Sequence, residues 1–132
     1  MPQADLSPDR FRDLLRESEP TFEEVLACVF DLQPHEARTY EVLRDNPAST
    51  VEELAAELDR DRSNVNRSLL TLREKALVER TRRLLDSGGH VYQYTATDID
   101  ETRELMHETL DAWAGYVHDR IDEFGSEPLD ED

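Results

Sequence analysis

The side chains best suited to chemistry in this sequence are arginines and asparagines, not acid–base pairs or metal ligands. Arg62, Ser63, Asn64, Asn66, Arg67 and Thr71 fall in one short stretch, with Arg60 just before it and Arg80, Arg82, Arg83 and His90 soon after. An arginine fork donates two bonds to the major-groove edge of guanine, and an asparagine amide pairs in the same two-point way with adenine. Arg80, Arg82 and Arg83 suit contact with phosphate, or insertion of an arginine into the minor groove. His90, beside Gly88 and Gly89, could touch phosphate or serve only as a turn residue. The chemistry these residue types imply is recognition of double-stranded DNA. The plainer reading makes Asn64, Asn66 and Arg67 the solvated face of a surface helix. Against it, the other solvent-facing helices are mostly acidic, and asparagine is a poor choice for a helix that need only be stable.

Catalysis finds little support. His35, His90, His107 and His118 are scattered, with no H-x-x-x-H or H-E-x-x-H spacing, and no glycine-rich phosphate loop is present. The many carboxylates fall on helix faces expected to be solvated. No catalytic residue, metal or cofactor is therefore expected, and the protein is not expected to be an enzyme. Cys28, the single cysteine, cannot form an internal disulfide, which agrees with a reducing compartment. It reads as a small residue near packed core.

The net charge of -17 at first argues against nucleic acid, because phosphate repels acidic surfaces. The sum hides a segregation. Between Arg60 and Arg83 eight basic groups meet three acidic ones, a local net of +5, while the remainder carries -22. A basic island in an acidic chain marks a binding face. Of the 15 basic residues only Lys75 is lysine, and acidic bulk with almost no lysine resembles the proteins of salt-in halophiles. An ordinary acidic protein from a GC-rich genome is the alternative. No apolar stretch has the length of a membrane span, and Met1 to Arg10 has no signal-peptide segment, so a cytoplasmic location without membrane contact is expected.

These groups need elements to hold them. Ser7–Pro8 starts a short helix with Phe11, Leu14 and Leu15 on one side, ended by Pro20. Thr21 with Glu24, and Thr50 with Glu53, are capping boxes that open two further helices. Pro34 opens a helix with Ala37, Tyr40 and Leu43 on one side, closed before Asn46–Pro47, and Ala48–Ser49 reads as a very short strand. A tight turn at Asp59–Arg60 then leads to Asp61, the N-cap of a helix running to about Lys75 with Val65, Leu69 and Leu72 facing inward. Residues 77–82 and 91–95 alternate as two strands, joined by a turn at Asp86–Gly89, so the pair is a hairpin with its arginines at the root. From Asp98 to Phe124 one long helix carries a heptad-like seam through Ile99, Met106, Leu110, Trp113, Val117 and Phe124.

Helix, short helix, tight turn, helix, basic hairpin is the order of a winged helix-turn-helix, whose second helix enters the major groove. Leu32–Tyr40, Thr50–Ala55, Arg62–Leu69 and Lys75–Val78 resemble the winged-helix domain of archaeal TrmB-like regulators, a fold shared with the MarR and PadR families. The resemblance covers about residues 22 to 97 and, with the composition, suggests a haloarchaeal source. It implies a transcription regulator. Two departures stand out. Gln33 occupies a place where the family often has a capping serine, and the larger TrmB proteins carry a C-terminal sugar-binding domain where this chain has one helix. A sugar effector is thus not carried over, and the short architecture is closer to PadR-like and MarR-like dimers.

The expected fold is mainly α with a small β-hairpin wing. Residues 1–31 form an N-terminal helical extension, 32–97 the winged helix-turn-helix, 98–124 a C-terminal dimerisation helix and 125–132 an acidic tail. The expected function is sequence-specific binding of duplex DNA, with a palindromic operator, by a homodimer that joins through Met106, Leu110, Trp113, Val117 and Ile121. A winged-helix protein-interaction module and a nonspecific architectural DNA binder are the alternatives.

Overall fold

Capping chemistry sets the helix boundaries. The computed structural model describes residues 19–125. The predicted helix that starts at Ser7–Pro8, and the tail after Gly125, lie outside the described residues. Helices α1 (Phe22–Phe30) and α3 (Val51–Leu58) open at Thr21 and Thr50, whose hydroxyls accept the backbone N–H of Glu24 and Glu53 at 3.0 and 3.1 Å. The two glutamates return the bond to the threonine N–H at 2.9 Å, so both expected boxes form. Helix α2 (Pro34–Asp45) has proline in its first turn, and the Glu36 carboxylate accepts the Gln33 N–H at 2.9 Å. Helix α4 (Arg62–Glu74) follows Asp61, whose backbone has the extended N-cap shape although its carboxylate makes no capping bond. Asp31 and Asp59 end α1 and α3 in the left-handed region, at φ 57° and 54°, which short polar side chains tolerate.

The helices enclose one core. Leu26 and Phe30 from α1, Tyr40 and Leu43 from α2, and Leu54 from α3 meet Val65, Leu69 and Leu72 from α4. The central helix is α2, which touches α1, α3, α4 and the second wing strand. From α4 the chain turns through Ala76, left-handed at φ 63°, into an antiparallel hairpin of β1 (Val78–Leu84) and β2 (His90–Ala96). The register runs from Val78 opposite Ala96 to Leu84 opposite His90. Ser49 adds a single bridge to β2, with 3.0 and 2.8 Å bonds to Tyr94, in place of the short strand expected at Ala48–Ser49.

The strands run further than residues 77–82 and 91–95. Beyond Val78 every β1 side chain is exposed, so no hydrophobic alternation marks where the strand stops. One expectation is corrected as a result: Arg82 and Arg83 lie near the wing tip, and only Arg80 is close to the root.

Helix α5 (Ile99–Glu123) is fastened by its first turns. Thr102 and Met106 are buried, and α1 packs against α5 of its own chain. The Tyr40 hydroxyl hydrogen-bonds to the Thr97 carbonyl at 3.0 Å and shares a 2.8 Å bond with Thr102 Oγ1. Met106, expected on a seam between two chains, is instead only 9% exposed and belongs to the core of its own chain. The heptad spacing starts inside the domain and runs out onto the surface, so spacing alone cannot separate the two parts. Leu110, Trp113, Ile121 and Phe124 are exposed and Val117 is half-buried.

Burial pushes the Tyr40 phenol above its ordinary value of 10.0. The unfolded chain then releases this proton at a lower pH than the folded one. The stability contributed by neutral Tyr40 is complete below about pH 10 and is lost as pH rises toward the raised value. Tyr40→Phe should remove that alkaline loss, seen by circular dichroism across a pH titration. At neutral pH the same variant should be less stable by about 1–3 kcal/mol in denaturant melts, because Thr97 and Thr102 lose a buried partner.

Candidate nucleic-acid interface

The candidate interface starts from the rotation of α4 about its axis. Val65, Ser68, Leu69 and Leu72 are buried against α2, α3 and β1. With 3.6 residues per turn, the opposite side of the helix is then Ser63, Asn66, Arg67, Leu70 and Glu74, all exposed, while Arg62, also exposed, sits at the first helical position on the edge nearer the buried stripe. Asn64 and Thr71 are half-buried at the borders of this face. Of the residues expected to touch DNA from α4, the fold brings Ser63, Asn66 and Arg67 together on the outward face, leaves Arg62 exposed at the start of the helix and sets Asn64 and Thr71 to the side.

Two of these arginines are held by neighbours. The Arg62 guanidinium pairs with the Glu52 carboxylate of α3 at 3.1 Å, across the N-terminal ends of the two helices. The Arg67 guanidinium donates to Asn64 Oδ1, one turn back along α4. Both ion-pair partners are well exposed, so the Arg62–Glu52 pair is worth at most about 1 kcal/mol. The pair draws Arg62 toward α3 through one guanidinium nitrogen and leaves the remaining N–H groups of the fork as donors. Arg60, in the turn before α4, is half-buried, and its Nε is buried without a hydrogen-bond partner.

The wing adds a second cationic element with two distinct faces. Cross-strand pairing places Arg80, Arg82 and Leu84 on one face with Tyr92 and His90, and Arg83 on the other with Val91. The Arg80 guanidinium lies 4.1 Å over the Tyr92 ring, which also meets the His90 ring edge-on at 5.3 Å. An arginine stacked on a ring keeps its charge and most of its donors while losing rotational freedom. From the other face, Gln93 donates to the Ala48 carbonyl at 3.0 Å and ties the wing to the segment before α3.

Sequence reasoning missed three residues of this surface. Glu52 is ten positions from Arg62, and only the packing of α3 on α4 brings them together. Tyr92 was legible only as a strand aromatic. Leu70 could have been found, because it continues the Ser63, Asn66, Arg67 spacing by one turn. No group of three or more His, Cys, Asp or Glu side chains among the described residues could hold a metal ion. No helix among them is long and apolar enough to cross a membrane.

Residues 26–100 match the family model described as the sugar-specific transcriptional regulator TrmB. An uncharacterized protein of Methanocaldococcus jannaschii is 36% identical over 93 residues, covering 70% of this chain and 77% of its own length. Among solved structures, a possible transcriptional regulator from Methanosarcina mazei superposes with a TM-score of 0.70 at 25% identity, covering 79% of this chain and 88% of that one. A MarR protein from Peptoclostridium difficile shares the fold, with a TM-score of 0.52 at 18% identity over 96% of this chain and 82% of its own.

The stacked pair gives a direct test of the wing. Tyr92→Ala should weaken binding to duplex DNA by about 0.5–1.5 kcal/mol, because the Arg80 side chain is then immobilised only at the encounter, while Tyr92→Phe keeps the ring and should bind like the parent. Fluorescence anisotropy with a labelled duplex measures both. Equal losses in the two variants would assign the effect to the phenolic hydroxyl.

Proposed function

The chain belongs to the TrmB family and is a DNA-binding transcription regulator of winged-helix fold; on that premise we propose that it reads a specific duplex sequence as a homodimer. The observation that carries this reading is the division of α4 into a buried Val65–Leu69–Leu72 side and an exposed Ser63–Asn66–Arg67 side. A helix that buries one stripe and offers Arg and Asn on the other has the width and chemistry to enter a major groove. In this reading α4 is the recognition helix. Arg62, Asn66 and Arg67 contact base edges, Ser63 and the half-buried Asn64 and Thr71 border them, and Arg60 supports the turn. Arg80, Arg82, Arg83 and His90 contact the backbone from the wing.

The dimer reading rests on α5. Leu110, Trp113, Val117 and Ile121 follow one another at intervals of three and four residues beyond the point where the core ends. Trp113 is 60% exposed, a poor place for the largest apolar side chain of the sequence unless something covers it. A second α5 related by a two-fold axis supplies the same stripe in return. Two recognition helices set about 34 Å apart would then meet successive major grooves, so the operator is roughly palindromic. The acidity outside the basic island suits work at high salt, where repulsion between carboxylate and phosphate reaches only about 3 Å at 1 M.

Arg67→Ala should weaken binding to the preferred site by about 1–3 kcal/mol while leaving the melting temperature unchanged, since the side chain faces away from the core. Arg82→Ala should instead weaken all duplexes about equally, as loss of a phosphate contact does. Titrations of a preferred and a scrambled duplex separate the two patterns. An Arg67→Ala protein that still prefers its site to the same degree would move base recognition off this helix.

Trp113→Glu should give monomers, because a carboxylate placed on the stripe would have to be desolvated in both chains. Light scattering on the parent and the variant decides it. A dimer that survives the change would place the interface elsewhere.

A further inference from the structure

Leu70 is the one apolar side chain on the outward face of α4. It stands 52% exposed, one turn beyond Arg67 and on the same side as Ser63 and Asn66. The core makes no use of it: Leu69 and Leu72, its neighbours in sequence, are the buried ones, at 1% and 0% exposure. The border residue Thr71 is half-buried, which limits how far its methyl can reach outward. Leu70 is also remote in sequence from the exposed apolar run on α5, and α4 and α5 are not among the elements that pack together. A dimer built on α5 therefore gives no account of it.

Resting on the reading of α4 as the recognition helix, we propose that Leu70 is a specificity-determining residue that selects thymine by packing on its 5-methyl group. The major groove presents hydrogen-bond donors and acceptors on every base pair, and the thymine methyl is its only apolar projection. Against any other base edge a leucine would strip water from polar groups and return no hydrogen bond. Against the methyl it removes apolar surface on both sides from water. Burial of roughly 50 Å² at about 25 cal/mol per Å² corresponds to close to a tenfold preference. Leu70 lies three residues from Arg67, about 4.5 Å further along the helix axis, and successive base pairs are about 3.4 Å apart. The thymine is thus read one or two base pairs from the base that Arg67 contacts.

The test uses the full chain and a duplex enriched by that chain from a random-sequence pool. A second duplex of the same sequence is made with deoxyuridine at every thymine, which deletes the methyl groups and leaves every hydrogen bond in place. The parent should bind the deoxyuridine duplex about tenfold more weakly. Leu70→Ala should bind the thymine duplex about tenfold more weakly than the parent does, and should bind both duplexes alike. Circular dichroism should show the variant folded, as expected for an exposed position. The proposal is overturned if the parent is indifferent to the methyl groups, or if Leu70→Ala remains as sensitive to them as the parent. Failure of the underlying reading looks different: the pool then yields no enriched sequence at all, and the thymine proposal falls with it. Enrichment of a sequence, with no response to deoxyuridine, overturns the thymine proposal alone.

Discussion

Burial of the Val65–Leu69–Leu72 stripe is the constraint on which the surface chemistry depends. Losing any one of those leucines to alanine would cost about 2–5 kcal/mol, a large share of the stability of a small domain. That cost fixes how α4 is turned about its axis. A slip by one residue rotates the helix by about 100° and would drive Arg67 or Asn66 toward the core, where an unpaired polar group is expensive. The leucines inside and the polar face outside are thus one decision. The surrounding elements follow from it, since α2 lies behind the stripe and α3 and β1 flank it.

A second regularity is that three arginines are steadied by three different chemistries: Arg62 by a carboxylate, Arg67 by an amide and Arg80 by a ring. None of these contacts is strong in water. Arginine is, however, among the side chains that lose most rotamer freedom on binding, up to about 2 kcal/mol each. Restricting it beforehand transfers part of that loss from the encounter to the folded state. The acidic surroundings sharpen the point. With -22 outside the basic island, attraction to DNA cannot come from overall charge, and the few cations present must be well placed.

Much of this was legible in the sequence, for reasons that differ by element. The starts of α1 and α3 are written in Thr21–Glu24 and Thr50–Glu53, because a capping box is a local hydrogen-bond pattern that packing does not override. The inward side of α4 is readable from periodicity alone. The wing was underestimated because its outer half, from Arg80 to Leu84, buries nothing and so leaves no pattern to count. Met106 was misplaced for the opposite reason: its spacing continues equally well into the core and into the exposed stripe. The contacts of Glu52 with Arg62 and of Tyr40 with Thr102 were beyond reach, since both join residues brought together only by the fold. The wing contact of Arg80 with Tyr92 depends on strand register, which a hairpin of uncertain length does not specify.

The fastening of α5 has a mechanical consequence. Only its first turns are built into the domain, through Thr102, Met106 and the Tyr40 hydroxyl, and from Met106 to Phe124 the helix extends for about 27 Å at 1.5 Å per residue. It is a stiff lever with a short fulcrum. A tilt of about 5° at the fulcrum would carry the far end by about 2 Å, more than half the rise between neighbouring base pairs. Anything attached to that end is therefore geared to the few core contacts of those first turns, the packing of α1 and the Tyr40–Thr102 hydroxyl pair among them. Small changes in how Tyr40 and Thr102 meet would be read out, magnified, at a distance.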